Sequence, residues 1–152
     1  MSAAADAAGD ATAAVEVSTD PARLDLDRVH DWLSTQAYWA LGRERATTER
    51  ALRNSVAFGA YDAGGGGLLG IARLVTDGAT FGWLCDVFVD PASRGRGVGK
   101  ALVAAVRAEA ERLGLLRLLL ITKDAHGLYA GEGFRPLPAP EKWMIREGAG
   151  AW

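Results

Sequence analysis

The sequence has little cysteine and no long uninterrupted apolar segment. Its single cysteine, Cys85, excludes an intrachain disulfide framework and argues against a zinc site built from thiolates. No apolar run approaches the roughly 18 residues that a membrane-spanning helix needs. A basic segment followed by an apolar one, typical of secretory signals, is not found at the start. We therefore expect a cytoplasmic protein that binds neither membrane nor metal.

An excess of charge of one sign is also missing. The 152 residues include 17 Lys and Arg against 19 Asp and Glu, which gives a formal net charge of −2 and a pI near 5.7. This balance does not favour nucleic acid or an anionic surface as a partner. With 49% apolar and 24% charged residues, the composition is that of a globular protein, and the length suits one domain.

The N-terminal third divides into a tail and the first folded elements. Residues 1–14 are mostly alanine with no periodic apolar face, so they are predicted to be a disordered tail. The folded domain is accordingly predicted to span residues 15–152. Alternation over residues 15–19 predicts a strand, and helices are predicted over residues 24–40 and 47–54.

The central third predicts three antiparallel strands joined by short turns. They cover residues 55–62, 68–76 and 79–90, with a glycine-rich loop after the first and Asp77-Gly78 as a hairpin turn after the second. This part of the sheet is therefore a meander.

A crossover follows the meander. Apolar spacing predicts a helix from the glycine cluster after Pro91 to about Leu113, and residues 115–122 form an apolar run typical of a strand buried on both sides. Strand, helix and strand in this order make the two strands parallel neighbours. A short helix over residues 125–131 and a terminal strand around residues 143–146 complete a mixed α+β fold.

The segment between the third strand and the long helix has the chemistry of an anion site. Gly95, Gly97 and Gly99 allow a close backbone approach, and the first amides of a helix point outward at the positive end of its dipole. Arg94, Arg96 and Lys100 add positive charge there. The spacing fits neither the Walker A motif nor the dinucleotide-binding fingerprint. A phosphate group of another kind of ligand is indicated.

The run from Arg94 to Gly99 resembles the Arg/Gln-x-x-Gly-x-Gly/Ala signature of the GNAT superfamily of acyl-CoA-dependent N-acetyltransferases. The resemblance extends over roughly residues 15–144, because the order of the elements also agrees. It implies a single GNAT-type α+β domain. Such a domain has a twisted, mostly antiparallel sheet with one splayed parallel strand pair, and helices on both faces.

In that family the glycine loop holds the diphosphate of coenzyme A, and the preceding strand binds pantetheine through its main chain. Carried over, the resemblance implies that acetyl-CoA contacts the following residues: Val87, Phe88, Val89, Arg94, Gly95, Arg96, Gly97, Val98, Gly99 and Lys100.

A second match lies further along the chain, where Tyr129, Gly133 and Phe134 fit the Tyr-x-x-x-Gly-Phe ending of the family. The resemblance implies that Tyr129 is the acid that protonates the coenzyme sulfur, because a phenol can donate that proton. Thr122 stands where many members have an asparagine that contacts the cofactor.

The implied reaction moves acetyl from acetyl-CoA to a primary amine of a small molecule or peptide in a ternary complex. A non-catalytic acyl-CoA-binding or regulatory domain, and a phosphate-binding module for another nucleotide, are the alternatives. Homodimers are common in the family. The acceptor is not predicted, because the first helices and hairpin loops that set specificity hold no diagnostic residues.

Asp86 has two interpretations, because an acid inside an apolar strand needs either a partner or a function. It either orients or deprotonates the incoming amine as a catalytic residue, or it pairs with Arg73 or another cation. Alternation places Cys85 on the face opposite Asp86, in a packing position. Glu132 is either a water-relayed base or a surface acid.

The remaining candidates are two histidines and an aromatic group. His30 is interpreted as a surface or packing residue and His126 as a turn or cap residue. Trp32, Tyr38 and Trp39 lie in the helical region that forms one wall of the acceptor site in the family, and core packing is the alternative for them.

Overall fold

A five-stranded sheet in the order β1-β2-β3-β4-β5 is the centre of the fold in the computed structural model, which describes residues 15–150. The strands are β1 (Val15–Ser18), β2 (Val56–Asp62), β3 (Leu68–Thr76), β4 (Phe81–Val89) and β5 (Arg117–Leu119). Neighbours are antiparallel up to β4, and β5 runs parallel to β4. The predicted meander, the crossover and the mixed α+β class are thus confirmed. The predicted tail of residues 1–14 lies outside the described residues.

Within residues 15–150, four α-helices accompany the sheet: α1 (Leu26–Thr35), α2 (Arg45–Arg53), α3 (Val98–Leu113) and α4 (His126–Ala130). The predicted extension of the first helix to residue 40 is wrong. Near its end the hydroxyls of Ser34 and Thr35 donate to the carbonyls of His30 and Asp31, at 2.7 and 2.6 Å. Such bonds compete with helix continuation, and turns follow up to Gly42, whose φ is +74°.

The sheet separates two apolar clusters. One lies under α3 and includes Phe58, Leu74, Leu84, Leu102 and Val106. The other lies under α1 and includes Val29, Trp32, Leu33, Ile71 and Phe88. Helices therefore cover both faces, and each face of β4 contributes a side chain to a different cluster.

The last strand differs from its prediction. The apolar run forms a strand only over Arg117–Leu119, and it is not buried on both sides: Leu116 is 80% exposed and Ile121 is 79% exposed. Leu118 and Leu120 pack against the cluster under α3, but nothing among residues 15–150 pairs with the other edge of β5. The predicted terminal strand is wrong as well, because residues 143–146 have no regular secondary structure.

None of the helices within residues 15–150 is both long enough and apolar enough to cross a membrane.

Candidate active site

The parallel strands β4 and β5 separate along their length. They are paired only where Phe81–Trp83 meets Arg117–Leu119. Beyond that point, residues 84–89 of β4 have no strand partner on the β5 side within the described part of the chain. Apart from the carbonyl oxygen of Val89, which accepts from Arg94 Nε, the main-chain donors and acceptors of Val87–Val89 on this side are therefore available to an extended ligand.

A β-bulge at Asp86 sets the geometry of this edge. Ile71 faces Phe88 and Arg73 faces Cys85, so two residues of β4, Asp86 and Val87, lie opposite one residue of β3. Asp86 has a φ of +50°, in the left-handed region, which is unusual for a residue other than glycine. The simple alternation that placed Cys85 and Asp86 on opposite faces does not continue through such a bulge.

The bulge redirects the side chains of β4. Leu84, before the bulge, packs in the cluster under α3, whereas Phe88, after it, packs in the cluster under α1. Val87 and Val89 now point toward the cluster under α3. Both sides of the open segment are thereby anchored in a core.

The carboxylate of Asp86 is almost fully buried and accepts three hydrogen bonds. Trp39 Nε1 donates to one oxygen at 2.9 Å, while Arg43 and Arg73 donate to the other at 2.8 and 2.9 Å. Burial raises the pKa of Asp86, but the hydrogen bond from Arg43 and the charges of both arginines outweigh it and lower the pKa overall. Pairing with Arg73, one of the two interpretations from sequence, is present in the structure.

Sequence reasoning missed two of these donors. Arg43 lies in a segment without any sequence pattern that marks it, and the position of Trp39 in the sequence indicates only packing or the acceptor wall. The available signal was the buried acid itself, because an acid in an apolar strand requires donors from somewhere.

Cys85 lies beside this cluster and is partly buried, with its thiol 3.6 Å from the carbonyl oxygen of Arg73. Burial raises the pKa of the Cys85 thiol to about 11. A thiol with such a pKa remains protonated and is a poor nucleophile at neutral pH. The packing interpretation of Cys85 agrees with this environment.

The glycine turn before α3 presents backbone donors to open space. Gly95 and Gly97 have φ values of +80° and +79°, and an added Cβ at either would meet no atom within 4 Å. Gly97 is the N-cap of α3. In the described chain, the first main-chain hydrogen bond of this helix runs from the amide of Ala101 to the carbonyl oxygen of Gly97, at 3.0 Å. The preceding amides therefore point outward at the positive end of the helix dipole.

Positive side chains flank this turn. Arg94 donates from Nε to the carbonyl oxygen of Val89 at 3.3 Å, and its guanidinium lies 5.6 Å from the centre of the Phe88 ring. Arg96 is 3.6 Å from the carboxylate of Asp62, and Lys100 is exposed. The turn next to the open edge of β4 thus has the backbone geometry and the positive charge that could hold an anion.

Tyr129 lies on α4 and is 8% exposed, with its ring edge against Phe134 at a centroid distance of 5.8 Å. Burial, together with nearby Tyr38 and Asp124, raises the pKa of Tyr129 to about 12. The phenol therefore keeps its proton throughout the physiological pH range and is suited to donate it, not to act as a base.

Two other candidates already have protein partners. The hydroxyl oxygen of Thr122 accepts from the amide of Ala125 at 3.0 Å, just before α4. Glu132 accepts from Arg107 Nε at 2.9 Å and its side chain is only 10% exposed, so it is not a free surface acid.

The aromatic group and His30 lie on α1 or in the turns after it, whereas His126 lies on α4, whose Tyr129 packs in the cluster under α3. Trp32 is buried against Phe88 at 5.6 Å, whereas Tyr38 is 49% exposed and meets the ring of Trp39 edge-on at 4.9 Å. His30 lies on α1 with a buried Nδ1 that has no partner, and His126 is the exposed first residue of α4. Among residues 15–150, no group of three or more His, Cys, Asp or Glu side chains could hold a metal ion.

Comparison with known proteins agrees with this geometry. Residues 26–134 match the model of the acetyltransferase (GNAT) family. The crystal structure of a GNAT-family protein from Xanthomonas campestris pv. campestris is 44% identical, with a TM-score of 0.82, and the match covers 88% of this chain and 93% of that one. A Gibberella zeae protein named as a putative acetyltransferase is 33% identical over 74% of both chains.

A more distant structure shares the fold alone. Glucosamine-6-phosphate N-acetyltransferase from Arabidopsis thaliana is 13% identical with a TM-score of 0.62, and the match covers 90% of this chain and 99% of that one. The splayed sheet, the bulged strand and the glycine turn are thus found in a chain that matches acetyltransferases in sequence and in fold. The chain belongs to the GNAT acetyltransferase family.

Proposed function

We propose that the protein transfers an acetyl group from acetyl-CoA to a primary amine of a small molecule or peptide, by direct attack in a ternary complex. This proposal rests on one observation: the first amides of α3 donate to no carbonyl within the described chain, and they lie directly beside the unpaired edge of β4. Coenzyme A offers a diphosphate and an amide-bearing arm, which are the complements of these two features.

The residues present fit the cofactor. In the proposal, the main chain and cations of residues 94–100 bind the diphosphate, and the space beside Gly95 and Gly97 admits it without a side-chain clash. Residues 87–89 bind the pantetheine arm. The hydroxyl of Thr122 accepts one hydrogen bond but retains its own proton, which it can donate to the coenzyme.

The protonated amine loses two protons in the reaction, and the sulfur gains one. The ammonium first gives one proton to water, its nitrogen attacks the thioester carbon, and a backbone amide near Val87–Val89 stabilises the oxyanion that forms. The carbon–sulfur bond then breaks, the thiolate takes a proton from Tyr129, and the second proton of the attacking nitrogen returns through water to the Tyr129 phenolate. Positioning amine and thioester together supplies much of the rate, on the order of 7–11 kcal/mol for well-oriented pairs.

The contacts of Asp86 favour a positioning role over that of the general base. Its three donors stabilise the charged form, which makes the carboxylate a weak acceptor for the ammonium proton. Glu132 is similarly engaged by Arg107. In the proposed mechanism water therefore removes the amine proton, and Asp86 holds the bulge that shapes the oxyanion site.

The test is coenzyme release from acetyl-CoA in the presence of a panel of primary amines, combined with calorimetric titration of acetyl-CoA. Binding together with amine-dependent release supports the proposal. Binding without release for any amine would instead identify an acyl-CoA-binding or regulatory domain. Thermal shifts with CoA, ATP and NAD provide the control, because stabilisation by ATP or NAD alone would indicate another nucleotide.

A further inference from the structure

Lys123 reaches from the segment before α4 to the turns that follow α1. Its Nζ lies 5.5 Å from the centre of the Tyr38 ring. An ammonium group at this distance is attracted by the negative face of an aromatic ring. Tyr38 is 49% exposed and Lys123 is exposed as well, so the pair lies at the surface. The contact therefore holds a primary amine at a defined and accessible place.

This place borders the proposed reaction centre on two sides. On one side, the Tyr38 ring meets Trp39 edge-on at 4.9 Å, and Trp39 Nε1 donates to Asp86 in the bulge of β4. On the other side is the phenol of Tyr129, whose pKa is raised first by burial and further by the nearby Tyr38. The ring that holds Lys123 thus lies between the bulged strand and the proposed proton donor.

The backbone around Lys123 is fixed relative to α4. The hydroxyl of Thr122 accepts from the amide of Ala125 at 3.0 Å, which closes a turn around Lys123. α4 follows directly at His126 and contains Tyr129. The amine and the proposed proton donor therefore belong to one short, ordered stretch of chain.

The other two lysines of the chain have different surroundings. Lys100 lies in the first turn of α3, within the proposed diphosphate site, and Lys142 ends the 3₁₀ turn Pro140–Lys142. In residues 15–150, Lys123 alone of the three has its ammonium over an aromatic ring. Lys100 and Lys142 are therefore internal references for a modification that depends on position.

We propose that Lys123 is a modification site whose ε-amine is acetylated by its own chain, which rests on the proposed function because acetyl-CoA is the donor. The ε-ammonium gives one proton to water, its nitrogen attacks the thioester carbon, and the carbon–sulfur bond breaks. The sulfur takes a proton from Tyr129, and the second proton of the nitrogen returns through water to the phenolate. The products are CoA and a neutral ε-acetamide, which no longer binds the Tyr38 ring as a cation.

The first experiment incubates the full chain with acetyl-CoA in the absence of any external amine and maps the acetyl groups by peptide mass spectrometry. We expect Lys123 to be acetylated at least about tenfold faster than Lys142, because Lys123 is held beside the reaction centre. Tyr129→Phe should slow the reaction at Lys123 and leave Lys142 unchanged. Equal rates at the three lysines, as in uncatalysed acetylation, or an unmodified Lys123 would overturn the proposal.

The second experiment distinguishes acetylation within one chain from acetylation between copies. Isotope-labelled Tyr129→Phe keeps Lys123 but lacks the proton donor, whereas unlabelled Lys123→Arg keeps the donor but lacks the amine. The two are mixed with acetyl-CoA, and Lys123 of the labelled chain is followed. A rate equal to that of the labelled chain alone supports the proposal, and acceleration on mixing contradicts it.

The third experiment tests the ring that holds the amine. Tyr38→Ala removes the ring and Tyr38→Phe keeps its face; folding is not expected to suffer at a half-exposed position, which circular dichroism checks. We expect the rate at Lys123 to fall about two- to fivefold in Tyr38→Ala and to stay near that of the wild type in Tyr38→Phe. Equal rates in all three proteins would contradict the role of the contact.

Two measurements separate a failure here from a failure of the proposed function. Calorimetry reports whether the wild type binds acetyl-CoA, and the panel of primary amines reports transfer to an external acceptor. If acetyl-CoA binds and an external amine is acetylated while Lys123 stays unmodified, only the modification of Lys123 is wrong. If acetyl-CoA does not bind, both proposals are wrong.

Discussion

The backbone adopts left-handed φ values at two places within a dozen residues, at Asp86 and at Gly95 and Gly97, and the polar groups at these two places differ in their hydrogen bonding. At Asp86 the carboxylate is buried and accepts from an indole and two guanidinium groups. At Gly95 and Gly97 the backbone is exposed and its donors have no acceptor recorded within the described chain. The polar groups of the first region are hydrogen-bonded within the protein, whereas the backbone donors of the second are free to bind a ligand.

The difference indicates which region is structural support and which is a binding surface. A satisfied buried network fixes geometry, because breaking any bond in it leaves an unpaired polar group. Exposed donors without a protein acceptor cost little free energy because water can bond to them, and they bind an anion favourably. Mutations in the first region are therefore expected to change stability, and mutations in the second to change ligand affinity.

The largest expected effect is on stability at Asp86. Asp86→Asn leaves two guanidinium groups without their counter-charge, and we expect the free energy of unfolding to fall by about 3–5 kcal/mol. Urea titration measures this loss. Asp62→Asn is the control, because Asp62 is 39% exposed and its pair with Arg96 is 3.6 Å long, so its loss is expected to stay below about 1 kcal/mol.

The same variant has a pH dependence of known sign. The pKa of Asp86 in the folded protein lies below its ordinary value of 3.8, so its stabilisation is complete above that value and is lost as the pH falls through the folded pKa. The gap in unfolding free energy between wild type and Asp86→Asn should therefore shrink below about pH 4. A gap that is constant from pH 7 to pH 2 would contradict the ion-pair explanation.

The next effect is on turnover at Tyr129, the proposed proton donor. Tyr129→Phe keeps the ring but removes the proton donor, and we expect kcat to fall by roughly a hundredfold or more with little change in the Kd for acetyl-CoA. Steady-state kinetics and calorimetry separate the two quantities.

Tyr61→Phe is the matched control for this prediction, because Tyr61 is also buried but lies on β2 with a hydroxyl that has no partner. The turnover of Tyr61→Phe should equal that of the wild type. Equal turnover of Tyr129→Phe and wild type would remove Tyr129 from the acid role.

A somewhat smaller effect, confined to binding, is expected in the glycine turn. Gly97→Asp places a negative charge where the proposed diphosphate lies, and we expect the Kd for CoA to rise roughly 30- to 100-fold, equivalent to about 2–3 kcal/mol. Gly78→Asp has the same backbone strain, at a φ of +77°, in a distant hairpin turn. Similar thermal stability of the two variants but equal CoA affinity would refute the anion site.

The smallest effect is expected for Glu132, a second acid already engaged by a cation. Because Arg107 is 43% exposed, solvent screens the pair, and Glu132→Gln should cost about 1 kcal/mol or less. Glu111→Gln, which removes the other acid on Arg107, is the comparison. Turnover should be unchanged in both; a drop specific to Glu132→Gln would restore it as a water-relayed base.

The parts of the fold that sequence predicts well are those specified locally. A hairpin forms at Asp77-Gly78 because the Asp77 carboxylate accepts from the amides of Ala79 and Thr80, a bond pattern that depends on neighbours alone. The predicted tight turn is wrong in its length, because Thr76 faces Gly82 and β4 begins at Phe81 and not at residue 79. Likewise the glycine turn and the start of α3 follow from residues within a few positions. The predicted contacts of Val87–Val89, Thr122 and Tyr129 with acetyl-CoA remain predictions.

The parts that sequence misses depend on distant partners. The donors to Asp86 are 13 to 47 positions away in the chain, and no periodic pattern links them. The apolar run at residues 115–122 suggested burial on both sides, but burial depends on whether a further strand covers it. The hydrophobicity of a run does not indicate whether a further strand lies beside it.

Because the thiol of Cys85 stays protonated near neutral pH, it would interfere little with an assay of the proposed acetyl transfer. Its thiol has a pKa of about 11, and it is the sole cysteine of the chain. Near pH 8 only about one molecule in a thousand carries the reactive thiolate at that position. A chromogenic disulfide reagent added to a running reaction should therefore report the sulfhydryl liberated from the thioester donor, with almost no background from the polypeptide.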